Sequence, residues 1–408
     1  VAATGFVSGE GGSIAGAGAM ILNALLDAGW EVVFFSKSSF VDPRPVVGVR
    51  PGFHFVEVDN VMTDRLRRAG QSIPGLDFAL RWLDSFAYNR GLVRAMRRAG
   101  ESRPFDLCLW LGDYARGRVF ATPTVSFVQG APGTDARSIL RRGPEVRRLA
   151  GGRAALKWKL LARLRLSRVG LPPFSITDHF VVGSSQSAST LRERYGLAAG
   201  GVSVIPYPVD LERFRPEPRT EGRALRCLWL GRIVPRKRLD VFLGGAAEAI
   251  RNGLDVTLTV VGDIGLIPGY ERLMGDFPFP DRLTWIRGVP RREVPVLFGR
   301  HDVLAQPSEE EDFGSSVAEA QACGLPVIVG ATNGNADYLC PRDIHLSDDR
   351  VETFAAALAE IAARRSEENG MAVSRTNAEE NYSMAAVGAR WRRVIEQVVA
   401  GQTGGPRP

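Results

Sequence analysis

The chain has 408 residues, of which 45% are hydrophobic and 24% charged, with a formal net charge of +7. That balance belongs to a folded globular protein too long for one ordinary core, so two domains are expected. It excludes a spanning helix, since no run of about 18 uncharged apolar residues occurs, and the opening VAATGFV lacks the basic-then-apolar order of a secretory leader. The excess of 52 Lys and Arg over 45 Asp and Glu points to an anionic partner. Nucleic acid is not the expected one, because neither an aromatic-plus-basic strand signature nor zinc-finger spacing is present. Cys108, Cys227, Cys323 and Cys340 are far apart with no CxxC, and read as reduced and buried.

In chain order, VAATGFV reads as a strand, SGEGGSIAGAG as a Gly-rich loop, AMILNALLDAGW as a helix by its apolar spacing, and EVVFFS as a second strand. Short apolar runs follow at FHFVEVD, FDLCLWLG, TPTVSFV and HFVVGSS, with helical patterns between them. The first domain is expected to end near VSVIPYPVDLERFRPEP, whose Pro-rich, charged tail has the composition of a linker. A second series then begins: LRCLWLGR, a helix from about Lys237 to Asn252, VTLTVVGD, a helix near Tyr270, LTWIRG, HDVLAQPS and LPVIVG. Strands alternating with helices predict parallel sheets, hence two similar α/β domains with a cleft between them.

Ligands of such sheets sit beyond the carboxyl ends of the strands, where loops lead into helix N-termini. Three loops qualify. LWLGRIVPRKRLD presents Arg232 and Lys237 at a helix entry, where two cations and free amides suit a diphosphate. A plain basic turn is the alternative, since Arg236 and Arg238 are also there. In EEDFGSSVAEAQACGLPVIVG, Phe313-Gly314 allows close backbone approach and the helix from about Ser315 offers free N–H groups. Glu319 lies one turn inside that helix and Glu311 precedes the turn. Carboxylates suit vicinal hydroxyls, so Glu319 fits a ribose diol and Glu311 the hydroxyls of a sugar. Glu309, Glu310 and Asp312 read as a solvated acidic loop, and no metal site is expected there. In GEGGSIAGAG, Gly11 and Gly12 allow close approach to a phosphate or sugar, with a flexible surface turn as the alternative.

These motifs resemble the retaining GT-B glycosyltransferases of family GT4. EDFGSSVAE forms the E-x7-E element, AQACGLPVIVG follows it, and GRIVPRKRLD and VIPYPVDLERFRP stand in family order. The first domain resembles the family more loosely, through the Gly loop and FVVGSSQSASTLRERYGL. The resemblance implies a GT-B architecture of two Rossmann-like domains with parallel sheets facing a central cleft. The divisions expected are 1–208 for acceptor binding, 209–386 for the nucleotide sugar, 387–400 for a helix crossing back, and 401–408 for a tail.

By position, the resemblance assigns Arg232 and Lys237 to the donor diphosphate, Glu319 to the ribose and Glu311 to the donor sugar. It assigns the amides of Phe313, Gly314, Ser315 and Ser316 to sugar and phosphate, backbone near Val289 to the base, and Gly12 to the phosphate from the other domain. Family members often carry a His where this chain has Gln129 in FVQG, which points to a different sugar contact. The implied reaction is front-face transfer from a nucleotide diphosphate sugar to an acceptor hydroxyl, with no cofactor and no obligatory metal. Another GT-B enzyme, such as a sugar-nucleotide epimerase or a phosphorylase, and a non-catalytic binding protein remain alternatives.

The acceptor is left open among a glycan, a lipid-linked compound and a small molecule. Between Arg137 and Arg168 Glu145 is the sole acid, and Leu156, Leu160, Leu161 and Leu164 share a helical face beside Trp158. Such a helix suits an anionic membrane surface, while an ordinary first-domain helix with its apolar face in the core is the alternative. The location expected is the cytoplasm, and a peripheral seat at the inner face of the membrane follows only from the membrane-surface reading of that helix.

Overall fold

The computed structural model describes residues 1–5, 13–36, 43–48, 50–58, 77–168, 170–217, 222–265, 267–365 and 370–401. Gly11 and Gly12, and with them the Gly-rich loop, lie outside the described residues.

The first sheet holds β1 (Ala2–Gly5), β2 (Val32–Ser36), β3 (Phe53–Glu57), β4 (Cys108–Leu111), β5 (Thr124–Phe127), β6 (His179–Val182) and β7 (Val202–Val204), in the order β3-β2-β1-β4-β5-β6-β7. The second holds β8 (Leu225–Leu230), β9 (Val256–Val261), β10 (Leu283–Ile286), β11 (Val303–Gln306), β12 (Val327–Val329) and β13 (Ile344–His345), in the order β10-β9-β8-β11-β12-β13. Every pairing is parallel, for example Leu228 opposite Leu304 and Thr4 opposite Trp110. The central strands read as unbroken apolar runs because helices cover both faces. In each sheet the strand order reverses beside the first strand, which opens a crevice at the carboxyl ends of β1/β4 and of β8/β11.

The principal helices are α1 (Ser13–Asp27), α2 (Asp77–Ser102), α3 (Thr134–Arg141), α4 (Gly143–Ala150), α5 (Gly152–Arg165), α6 (Ser185–Tyr195), α7 (Leu239–Arg251), α8 (Ser315–Ala322), α9 (Val351–Ala363), α10 (Gly370–Tyr382) and α11 (Met384–Val399). Local sequence sets several ends. Ser184 accepts from the Ser187 N–H at 3.2 Å, and Gly196 closes α6 in the left-handed region at φ +70°. Arg238 also adopts the left-handed region, at φ +51°, so α7 starts at Leu239 after a short 3-10 turn over Pro235–Lys237.

Two features tie the halves together. α11 returns to the first sheet, where Trp391 meets Phe127 edge-on at 5.5 Å. In the other direction, α3 to α5 leave the first sheet between β5 and β6 and join the core of the second: Ala136, Ile139, Val146, Leu149 and Ala162 share a buried cluster with Trp229, Ile233, Tyr270 and Phe277. The segment is therefore neither an ordinary first-domain helix nor wholly outward-facing. It is an arm laid across the other domain. All four cysteines are buried, and none is in a disulfide. Among the described residues, no helix is long and apolar enough to cross a membrane.

Candidate active site

A cleft of about 810 Å³ opens at the carboxyl ends of β8 and β11. Arg232, Lys237, Val289, Glu311, Phe313, Gly314, Ser315, Ser316 and Glu319 line it from the second domain, and Gln129 and Gly112 from the first. Gly11 and Gly12 lie outside the described residues; every other predicted site residue lines this one cavity.

The cationic side is built on the turn after β8. Lys237 Nζ lies 2.5 Å and Arg236 Nη1 2.7 Å from the same Glu311 oxygen, Oε2. Lys237 also donates to Gln306 Oε1 at 3.2 Å, and Arg236 Nε donates to Asp135 Oδ1 of α3 at 2.6 Å. Burial alone would raise the Glu311 carboxyl, but Arg236 and Lys237 outweigh it and hold the group at about 2. Burial lowers the Lys237 ammonium, an effect that Glu311 opposes. Arg232 is exposed at the cleft wall and has no carboxylate within ion-pairing distance among the described residues. The cluster thus combines fixed, mutually neutralised charges with one open cation.

On the far side, Glu319 is buried within the second turn of α8, and Arg291 Nη2 reaches its Oε1 at 2.5 Å. Burial raises the Glu319 carboxyl and Arg291 opposes it. The Arg291 guanidinium also stacks over Phe214 at 5.3 Å. Between the two glutamates stands the start of α8, whose first-turn N–H groups have no acceptor within the helix. One of the predicted donors is already engaged: Gly314 N–H donates to Asn335 Oδ1 at 2.7 Å. A Cβ on Gly314 would come within 2.7 Å of that same oxygen, which explains glycine there at an ordinary φ of −79°. Ser315 Oγ is buried without a partner. Among the described residues, no group of three His, Cys, Asp or Glu side chains is placed to hold a metal ion.

The acidic loop is not solvated, and this corrects the expectation for Glu309, Glu310 and Asp312. Glu310 pairs with Arg137 at 2.5 Å and Arg141 at 2.6 Å, and Glu309 with Arg141 at 2.9 Å and Arg238 at 3.0 Å as well as with Arg142. Asp312 turns the other way, into the first domain, where Gly183 N–H donates to it at 3.0 Å and Tyr207 O–H at 2.7 Å. Burial pushes its carboxyl up to about 6, against the opposing hydrogen bonds. The basic turn is likewise internal: Arg238 is 3% exposed and paired with Asp240 at 3.0 Å. The physical reason is the arm, whose Arg137, Arg141 and Arg142 are brought by α3 against a loop of opposite charge.

Sequence reasoning missed Arg236, Asp135, Gln306 and Arg291. A polar Gln306 ending an apolar strand was a readable signal, because a buried amide at a strand's carboxyl end needs partners. Asp135 and Arg291 carried none, since their partners are distant in sequence.

Comparison with known proteins bears on the family and the fold. Residues 211–378 match the family described as glycosyl transferases group 1. The chain is 30% identical, over 43% of its length and 50% of the relative's, to the GDP-mannose-dependent alpha-(1-6)-phosphatidylinositol monomannoside mannosyltransferase of Mycolicibacterium smegmatis. It is 28% identical to the D-inositol 3-phosphate glycosyltransferase of Salinispora arenicola, over 77% of this chain and 70% of that one. For the first relatives the matched part spans half or less of their length, at 50%, 38% and 41%. Among solved structures, sucrose-phosphate synthase from Thermosynechococcus elongatus superposes with a TM-score of 0.65 at 18% identity, covering 98% of this chain and 99% of that one. Anabaena HepE, solved with UDP-glucose, gives 0.61 at 14% identity, covering 97% and 99%. At such identities these likenesses establish the fold, and the fold is the GT-B architecture.

Proposed function

We propose that this chain, whose residues 211–378 match the family described as glycosyl transferases group 1, transfers a hexose-type sugar from a nucleotide diphosphate sugar to an acceptor hydroxyl, with retention and without an obligatory metal. The observation that carries this reading is the pairing of a cationic turn, Arg232 and Lys237, with two carboxylates, Glu311 and Glu319, on either side of the α8 N-terminus in one cleft.

In this reading the diphosphate sits against Arg232, Lys237 and the first amides of α8, where cations and the helix dipole both favour negative charge. Glu319 accepts from the ribose hydroxyls through the oxygen that Arg291 leaves free. Both cations take Oε2 of Glu311, which leaves Oε1 for a sugar hydroxyl. The base lies along the Val289 backbone, and Gln129 approaches the sugar from the first domain. The acceptor hydroxyl attacks the anomeric carbon on the face from which the diphosphate departs, and a diphosphate oxygen takes its proton. No protein nucleophile is needed, so catalysis rests on stabilising the leaving group; removing one such preorganised contact costs about 100 to 1000-fold in rate. A lipid-linked acceptor and peripheral contact with an anionic membrane belong to the same reading.

The test is thermal stabilisation by UDP, GDP, ADP, CMP and TDP without metal, for wild type and Glu319→Ala. Stabilisation by one nucleotide that weakens in the variant supports the reading and identifies the donor class. No shift with any of them removes its central expectation. Retention is then read from the anomeric configuration of the product by NMR.

A further inference from the structure

We infer that the outer face of α5 is a docking surface for an anionic lipid bilayer, centred on Leu156, Leu160 and Leu164. It narrows the membrane contact named above to one helix face. Of the segment 137–168, the first part is unavailable: Arg137, Arg141 and Arg142 are committed to Glu309, Glu310 and Asp349. α5 is different. Its inner face, Ala155, Trp158 and Ala162, packs on the core of the second domain. That leaves the opposite face to solvent, and it is apolar: Leu156 is 59% exposed, Leu160 57% and Leu164 46%.

Single exposed leucines are ordinary, but three spaced by four residues form a continuous stripe along one side of a helix. With about 100° between successive residues, Lys159 and Arg163 fall on one edge of the stripe, Lys157 on the other and Arg153 in line with it. These four are exposed, and among the described residues none is ion-paired. From 146 to 177 the sequence contains no Asp or Glu. An apolar stripe rimmed on both sides by unneutralised cations matches a bilayer with anionic headgroups, where leucines enter the acyl boundary and Lys and Arg stay among the phosphates. A second copy of this chain is a poorer match, because it would set the same cations against one another. Since α5 belongs to the arm lying across the second domain, docking there would seat the whole enzyme beside the membrane.

The experiment is co-sedimentation of the full chain with vesicles of phosphatidylcholine alone and of phosphatidylcholine with phosphatidylglycerol. It compares wild type, Leu156→Ser/Leu160→Ser/Leu164→Ser, and Lys157→Glu/Lys159→Glu/Arg163→Glu. Each Lys or Arg at an anionic surface contributes about fivefold, so the charge-reversed protein is expected to lose at least tenfold in partitioning, and wild-type binding to weaken with added salt. The leucine variant is expected to lose binding at all salt concentrations. Circular dichroism and nucleotide-induced stabilisation serve as folding controls, as neither set of residues lines the cleft. Absence of wild-type binding, equal binding to neutral vesicles, or full binding by the leucine variant would overturn the assignment. So would a concentration-dependent dimer in vesicle-free solution that the leucine variant abolishes. Vesicle binding needs no donor or acceptor, so its failure is separable from failure of the transferase reading, which the nucleotide shifts test.

Discussion

Asp135 and Arg236 meet at 2.6 Å across 101 positions of sequence, and the same Arg236 holds Glu311 at 2.7 Å. A carboxylate on an arm of the first domain thereby positions a carboxylate of the cleft. Asp135→Asn keeps the shape and removes the charge. Asp135 is partly exposed, so the coupling is of the order expected for a screened pair, about 1 kcal/mol, or about fivefold in kcat/KM. A structural role alone would lower the melting temperature and leave the kinetics of the folded enzyme unchanged. Steady-state kinetics well below the melting temperature decide between them.

Glu311 and Lys237 set each other's ionisation. With Glu311 ionised down to about 2, its charge opposes the lowering that burial imposes on Lys237. Glu311→Gln removes that support, so the Lys237 ammonium loses its proton at lower pH than in wild type. The expected signature is an alkaline limb of the kcat/KM profile displaced to lower pH, alongside a fall in rate at neutral pH. Arg236→Ala acts on the other partner: the Glu311 carboxyl rises from about 2, and the acidic limb moves up. Unmoved limbs in both variants would detach this cluster from catalysis.

Asp312 makes stability depend on pH in the opposite sense to most carboxylates. Its carboxyl is raised from 3.8 to about 6 by burial, so the folded state prefers it protonated. The associated stability is fully present below about 4 and is lost as pH rises through about 6, amounting to about 3 kcal/mol. Asp312→Asn stays neutral, retains an acceptor for Gly183, and should flatten this component. Denaturant unfolding of both proteins between pH 4 and pH 8 measures it; parallel curves would refute the assignment.

Much of this site was legible because the family motif and the strand-loop-helix pattern are local. Arg232, Lys237, Glu311 and Glu319 each stand at a fixed offset from a strand end, and the strand order carries those offsets into one cleft. What could not be read is the pairing between distant charges. The string Glu309-Glu310-Asp312 looks like a solvated loop until α3 brings Arg137 and Arg141 to Glu310 and the first domain offers Gly183 and Tyr207 to Asp312, and nothing in the composition of α3 says that it leaves its own sheet. The two-residue strand β13 was missed for a simpler reason: it is too short to show a period.

Arg291 tests the ribose assignment most directly. Glu319 is buried beside it, and burial raises its carboxyl while the guanidinium at 2.5 Å restrains the rise. Arg291→Ala removes the restraint without touching the carboxylate, so a higher pH is needed to ionise Glu319. A carboxylate accepts two ribose hydroxyl donors, whereas a protonated carboxyl offers one of its oxygens as a competing donor. Nucleotide affinity of the variant, measured by calorimetry between pH 5 and pH 8, is therefore expected to be weakest at low pH and to recover as pH rises, with its midpoint above that of wild type. Lys at this position restores a positive charge and should move the midpoint back. If the variant binds with wild-type affinity across the range, Glu319 does not hold the ribose; if affinity is lost equally at every pH, Arg291 contacts the nucleotide itself.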